Sequence, residues 1–243
     1  MTSESSAVAS LDWPAVATAL NADGFARLPR LLDSDECRAH AAMFDDTRLF
    51  RSRIDMARFR FGIGEYQYFA APLPPRVQAL REELYAGLAP MANQWAARLT
   101  PRHGARRTAG HYPATLAAFL TTCHAKGQTR PTPLVLKYQA GGYNCLHQDL
   151  YGDLAFPLQV VVALSRRDGD YTGGELLLVE QRPRAQSRGH ALTIEQGDAV
   201  VFATSQRPVA GSRGDYRVVM RHGVSTVTSG TRMTLGIIFH DGR

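Results

Sequence analysis

Hydrophobic positions recur along this chain in two rhythms, and the rhythm changes near Pro131. Before it, apolar residues fall mostly at helical spacing. Residues 13–45 read as two helical pieces. Trp13-Pro14-Ala15 opens the first, and Leu32-Asp33-Ser34-Asp35-Glu36-Cys37 is a capped start for the second, with Asp33 or Ser34 as N-cap and acids in the first turn. Between them Gly24-Phe25-Ala26-Arg27-Leu28 alternates as a short strand does. Over residues 75–99, Val77, Leu80, Leu84, Leu88, Met91 and Trp95 share a helical face, which predicts one or two long helices kinked or split at Pro90. Residues 100–115, rich in Arg, Gly and Pro, read as loop.

Beyond Pro131 the apolar runs shorten and turn β-rich: 134–138, 158–164, 175–180, 199–202, 217–220 and 232–239, punctuated by Gly, Pro, Asp and Ser. Many short strands at this spacing predict a sandwich or jelly roll. The expected class is mainly β with N-terminal helices (α+β). The expected organisation is one domain over 1–243, with a helical half at 1–130 carrying a strand or hairpin near 56–70, and a β core at 131–243.

Composition narrows the setting. Hydrophobic residues make up 44% and charged residues 21%, which suits a packed core and argues against disorder. No apolar run is long enough to span a bilayer, so a membrane role is not expected. The start, MTSESSAVASLDW, has neither a basic nor an apolar signal region. Cys37, Cys123 and Cys145 form no C-x-x-C pair. Together these features point to a reducing cytoplasm. The net charge of +6 comes almost wholly from arginine, Lys126 and Lys137 being the lysines. It favours anionic partners such as nucleic acid, and it equally fits a solvated arginine-rich surface.

The chemistry begins at His147-Gln148-Asp149. Residues two apart on a strand share a side, so His147 and Asp149 can meet one ion while Gln148 points away. H-x-D alone is common. His222, at the end of the run 217–220, supplies a third ligand, and two imidazoles with one carboxylate match the facial triad of non-haem Fe(II) oxygenases. Arg232, ten residues on, stands among Met233, Leu235 and Ile237, where a buried guanidinium needs a specific anion. With Thr234 on the same strand face it can chelate the far carboxylate of 2-oxoglutarate. Tyr138 on the preceding strand either joins that clamp or is an ordinary half-buried tyrosine. Of the other histidines, His40 lies in a helix, His103, His111 and His124 in the N-terminal half, and His190 in an arginine-rich loop. His240 follows the last strand, at the surface or just behind the site. Glu175 more naturally begins a strand after a glycine turn than ligates a metal.

These motifs resemble the Fe(II)/2-oxoglutarate-dependent dioxygenase superfamily, which implies a double-stranded β-helix (jelly-roll, cupin-like) core, Fe(II) on His147, Asp149 and His222, and 2-oxoglutarate and O2 as co-substrates. More closely, Asn144-Cys145-Leu146-His147-Gln148-Asp149-Leu150-Tyr151-Gly152 and Arg221-His222-Gly223-Val224-Ser225, with the stretches 50–56, 64–69, 130–134 and 180–184, resemble a bacterial oxygenase family. That family is described as acting in oxidative demethylation of damaged DNA, in the manner of AlkB-type dealkylases. The resemblance implies a nucleic-acid substrate, single-stranded or with its base flipped, and succinate, CO2 and formaldehyde as products. Thr172-Gly173-Gly174-Glu175-Leu176 is similar to prolyl-hydroxylase-type relatives, which implies instead a small-molecule or protein hydroxylase. A non-enzymatic cupin-like binder has no use for the Arg232 clamp.

The substrate side is read from the alternating segment 58–69. As an extended segment or hairpin it places Arg58 and Arg60 on one side and Tyr66 and Tyr68 together on the return, where aromatics stack bases and arginines hold phosphates. It equally describes a strand capping the core with solvated arginines. Arg182, Arg184 and Arg188 either steer an anion or hold carboxylates of their own.

Overall fold

The computed structural model describes residues 7–100, 112–212 and 214–243. His103, His111 and most of the loop expected over 100–115 therefore lie outside the described residues. The helices are α1 Trp13–Asp23, α2 Ser34–Ala42, α3 Pro75–Leu99 and α4 Leu116–His124. Asp12 caps α1 by accepting from the Ala15 amide. Asp33 caps α2 in a reciprocal pair with Glu36, which settles the choice between Asp33 and Ser34. α3 runs unbroken through Pro90, contrary to a split. Pro90 faces solvent, where water can take the carbonyl it frees, while Leu88, Met91 and Trp95 are buried on the opposite face. α4 was not expected. It buries Leu116, Phe119 and Cys123, and Phe119 stacks on Tyr85 of α3 at 5.7 Å.

The strands are β1 Phe25–Leu28, β2 Phe50–Asp55, β3 Gly62–Ile63, β4 Glu65–Phe69, β5 Leu134–Gln139, β6 Tyr143–His147, β7 Leu158–Ala163, β8 Tyr171–Gly173, β9 Leu176–Gln181, β10 Arg188–Leu192, β11 Ala199–Ala203, β12 Gln206–Gly211, β13 Gly214–Val224 and β14 Val227–Ile237. They form two antiparallel sheets. One is ordered β1-β11-β7-β14-β5-β4-β2, with β8 also on β14. The other is ordered β10-β9-β13-β6-β3, with β12 also on β13. β7 and β11 are buried at every residue, as central strands covered on both faces must be. The expected jelly-roll class is what the chain adopts.

Two local expectations fail. His190 lies on β10, paired with Leu178, and not in a loop. The segment 58–69 is no hairpin: Ala57–Phe59 is a 3-10 turn and Arg60 takes a left-handed φ of 59°. β3 then joins β6 in one sheet while β4 joins β2 and β5 in the other. An alternating pattern cannot tell a hairpin from a strand that changes sheets, because both have period two.

Arginine–carboxylate pairs are drawn into the interior. Arg81 donates to the Ile238 and Phe239 carbonyls and to Asp241. Glu180, buried on β9, is shared by Arg182 and Arg207, so Arg182 holds its own carboxylate. Among the described residues, no helix is long and apolar enough to cross a membrane.

Candidate metal and co-substrate site

β6 and β13 pair so that His147 and His222 stand directly opposite one another, their ring centroids 4.1 Å apart. Asp149 lies two residues past the end of β6. Strand alternation therefore does not bring it to His147. A pinned loop does. The Gln148 amide donates to the carbonyls of Ser205 and Met220 at 2.9 and 2.8 Å. Gln128 donates to the Leu154 and Asp241 carbonyls and accepts from the Leu154 amide. Gly152 lies so close that a Cβ there would sit 2.3 Å from Gln128 Cδ.

One donor atom from each of His147, Asp149 and His222 lies within 4.8 Å of the others. Asp149 Oδ2 is 3.1 Å from His222 Nε2, and Oδ1 is 3.5 Å from His147 Nε2. The contact of His147 Nδ1 with the Cys145 carbonyl, at 2.8 Å, places the proton on Nδ1 and leaves the Nε2 lone pair facing the cluster. Burial works to raise the Asp149 carboxyl, but the electrostatic pull of His222 and the hydrogen bonds of both imidazoles hold it well below the usual carboxylate range. Burial holds His222 down, against the pull of Asp149. An ionised carboxylate beside an inward-facing imidazole lone pair is the donor set a divalent cation such as Fe(II) accepts.

One residue behind Asp149, Tyr151, escaped the sequence reading. Tyr151 donates its hydroxyl to Asp149 Oδ1 at 2.6 Å, and Tyr68 donates to the Tyr151 hydroxyl at 3.0 Å. His240 is fully buried behind the site, the second of the two placements expected for it. Its ring lies 5.9 Å from that of Tyr151, and its Nδ1 accepts from the Phe156 amide. Burial pushes the His240 imidazole down to about 4. An unfolded histidine titrates near 6.5, so between these values the unfolded chain binds the extra proton and stability falls as pH falls. Urea unfolding of the metal-free protein will lose about 3 kcal/mol from this group between pH 6.5 and 4, and His240→Gln will flatten that slope. An unchanged slope in the variant removes His240 as its source.

Arg232 on β14 faces Tyr138 on β5. Its guanidinium carbon lies 5.7 Å from the Tyr138 ring centre and 6.0 Å from that of Tyr171, a residue the sequence did not single out. Gly174, at φ 64°, makes room for the stem: a Cβ there would lie 2.7 Å from Arg232 Cδ. Arg232 is 2% exposed, and its Nε has no hydrogen-bond partner among the described residues. A buried cation with an idle donor is fitted to an anion supplied from outside the chain. Thr234 is buried two residues on. Burial pushes the Tyr138 phenol up to about 12, with Arg232 opposing, so Tyr138 is a neutral donor.

One cavity of about 410 Å³ reaches His147, Asp149, His222, Tyr138, Arg232 and Thr234. Arg60, Tyr66 and Tyr68 also line it, whereas Arg58 does not and sits over the Phe59 ring. Tyr66 and Tyr68 meet edge to face at 5.4 Å. At the surface, Phe59 and Phe61 stack at 5.7 Å, both about half exposed. Glu175 is engaged by Ser225 and Arg167, away from the cluster.

A jelly-roll fold with this donor set and a buried arginine in one cavity defines a 2-oxoglutarate- and Fe(II)-dependent oxygenase. A family model described as "Oxygenase, catalysing oxidative methylation of damaged DNA" matches residues 64–242, and the chain belongs to that family. Two uncharacterized proteins of Mycobacterium tuberculosis, from strains CDC 1551 / Oshkosh and H37Rv, are each 51% identical over 173 residues, 71% of this chain and 71% of theirs. Among solved structures, a Pseudomonas putida prolyl-4-hydroxylase aligns with TM-score 0.56 at 17% identity, over 95% of this chain and 99% of that one. A Trichoplax adhaerens prolyl hydroxylase, solved with a hypoxia inducible factor peptide, aligns with TM-score 0.54 at 16% identity, over 94% and 89%. These likenesses establish the fold.

Proposed function

We propose that this oxygenase removes methyl groups oxidatively from alkylated nucleic-acid bases, with His147, Asp149 and His222 holding Fe(II) and Arg232 holding the distal carboxylate of 2-oxoglutarate. The observation that carries the reading is the buried Arg232, its Nε unpartnered, in the same cavity as the His–Asp–His cluster. When bound, the metal and 2-oxoglutarate with O2 supply the oxidation of a C–H bond, releasing succinate and CO2. The chain supplies placement. Arg232 and Thr234 fix one end of the co-substrate by a guanidinium fork and a hydroxyl, and Tyr138 adds a neutral phenol. Apolar walls from Leu134, Leu136 and Val224 keep bulk water away. A methyl group on a base nitrogen, once hydroxylated, is lost as formaldehyde and the base is restored.

The nucleic-acid assignment draws on the family description and on the mouth of the cavity. There the stacked Phe59 and Phe61 stand beside Arg58 and Arg60, a pairing suited to an unstacked base and its phosphates. Arg60, with its left-handed backbone, lines the cavity, and this supports a role for it toward the substrate. A second reading, hydroxylation of a small molecule or protein side chain, is favoured by the exposed Leu146 that lines the same cavity. The deciding assay supplies methylated single-stranded oligonucleotides and, in parallel, a panel of small molecules and peptides. Formaldehyde from the oligonucleotides alone is expected. Succinate coupled only to the panel replaces the first reading with the second.

A further inference from the structure

Three candidates lie beyond these assignments. Below the helices, the Arg81–Asp241–His124 cluster is closed on itself by hydrogen bonds, so nothing in it is aimed at a ligand. The exposed apolar rim belongs to the cavity already assigned. The tyrosines behind Asp149 have no role yet, and their geometry is specific.

We infer that Tyr151 is a positioning residue for the metal site: its hydroxyl claims Asp149 Oδ1 and so presents Oδ2 alone to the cation. The inference rests on the reading of Asp149 as an iron ligand. A free carboxylate offers two equivalent oxygens and can chelate through both, taking one more coordination place than a single-oxygen ligand does. An oxygenase of this kind needs that place for its co-substrates. Tyr151 lies two residues past Asp149 in the loop pinned by Gln148 and Gln128, so its ring and the carboxylate are positioned by the same anchors. The bond of 2.6 Å is in the short range of hydroxyl–carboxylate contacts. Tyr151 cannot turn its proton elsewhere at no cost, because its oxygen already accepts from Tyr68. Each bond in such a chain polarises the next. The Arg51 guanidinium covers the Tyr68 ring at 4.6 Å and donates to the Pro131 carbonyl, which fixes the outer end. The His240 ring beside Tyr151 limits its movement on the other side. The result is a line from Arg51 through Tyr68 and Tyr151 to one oxygen of Asp149, in which only the last bond touches a ligand.

Titration of the purified full-length protein with Co(II), an air-stable stand-in for Fe(II), tests this through its ligand-field absorption. Tyr151→Phe keeps the ring and removes the hydroxyl. It is expected to weaken Co(II) binding about 10–100-fold and to change the spectrum. Tyr68→Phe is expected to shift both readouts in the same direction by less, and it keeps the test alive should the first variant fold poorly. A merely structural tyrosine would lower the melting temperature and leave the Co(II) spectrum as it was. Wild-type affinity and spectrum in Tyr151→Phe overturn the inference. Asp149→Ala separates the two levels: if it loses Co(II) while Tyr151→Phe keeps it, only the positioning role falls. If Asp149→Ala also binds as wild type does, the ligand assignment falls and takes the positioning role with it.

Discussion

Asp149→Ala will abolish 2-oxoglutarate turnover, with succinate release at least about 100-fold below wild type, since even partners behind the ligands typically contribute 10–100-fold. The reason is electrostatic as much as geometric. Asp149 carries the anionic charge among the three donors, and it is held ionised in a nearly dry setting, 9% exposed. Its removal leaves two neutral imidazoles facing a divalent cation, and it strands the Tyr151 hydroxyl. Asp149→Asn is the sharper variant, because it keeps the volume and one oxygen while removing the charge. It should retain the fold and lose the metal. Full succinate release from the alanine variant would sink the iron site, whatever the substrate.

Arg232→Leu tests the other end of the cavity. Truncating one member of a buried, hydrogen-bonded charge pair costs about 2–5 kcal/mol, so the KM for 2-oxoglutarate should rise roughly 30- to 4,000-fold. Metal affinity should not move, because the Arg232 guanidinium packs against Tyr138 and Tyr171 rather than joining the cluster. The expected split is a changed KM for 2-oxoglutarate with Co(II) binding unchanged. Arg232→Lys should fall between the two, keeping a point charge and losing the fork. A KM within twofold of wild type in the leucine variant would remove the clamp. Folding is not expected to suffer, since an unpaired buried cation is itself a cost that leucine relieves.

How much of this was legible varies with the range of the signal. The β core past Pro131 was, because short apolar runs between turn residues carry their own period. So were the cluster and a buried arginine as residue types, because H-x-D, a distal histidine and an arginine inside an apolar strand are rare together. Their placement was less so. Asp149 reaches His147 through side chains at 128, 148 and 151, and a period-two pattern contains no trace of those anchors. Tyr151 stood two residues from Asp149, and a rule that asks what hydrogen-bonds a ligand's second oxygen would have found it. Tyr171 could not be found this way. It meets Arg232 through a three-residue strand, β8, whose pairing with β14 is shifted in register. The segment 58–69 misled for a different reason: the left-handed Arg60, with glycines at 62 and 64, breaks a strand that alternation makes look continuous.

Arg232 and the arginines at the mouth differ in depth, and depth governs how each feels dissolved ions. At physiological ionic strength, screening sets in over about 8 Å of solvent, and the buried Arg232 guanidinium between two tyrosine rings has little solvent around it. Arg58 and Arg60 stand in contact with the medium. On the proposed reading, a grip of theirs on a polyanion would release counterions and would weaken as a power of the salt concentration. On the nucleic-acid reading proposed above, the enzyme would pair a salt-blind hold on its small co-substrate with a salt-sensitive hold on its large substrate. Rising ionic strength would empty the mouth while the inner pocket stays charged and ready.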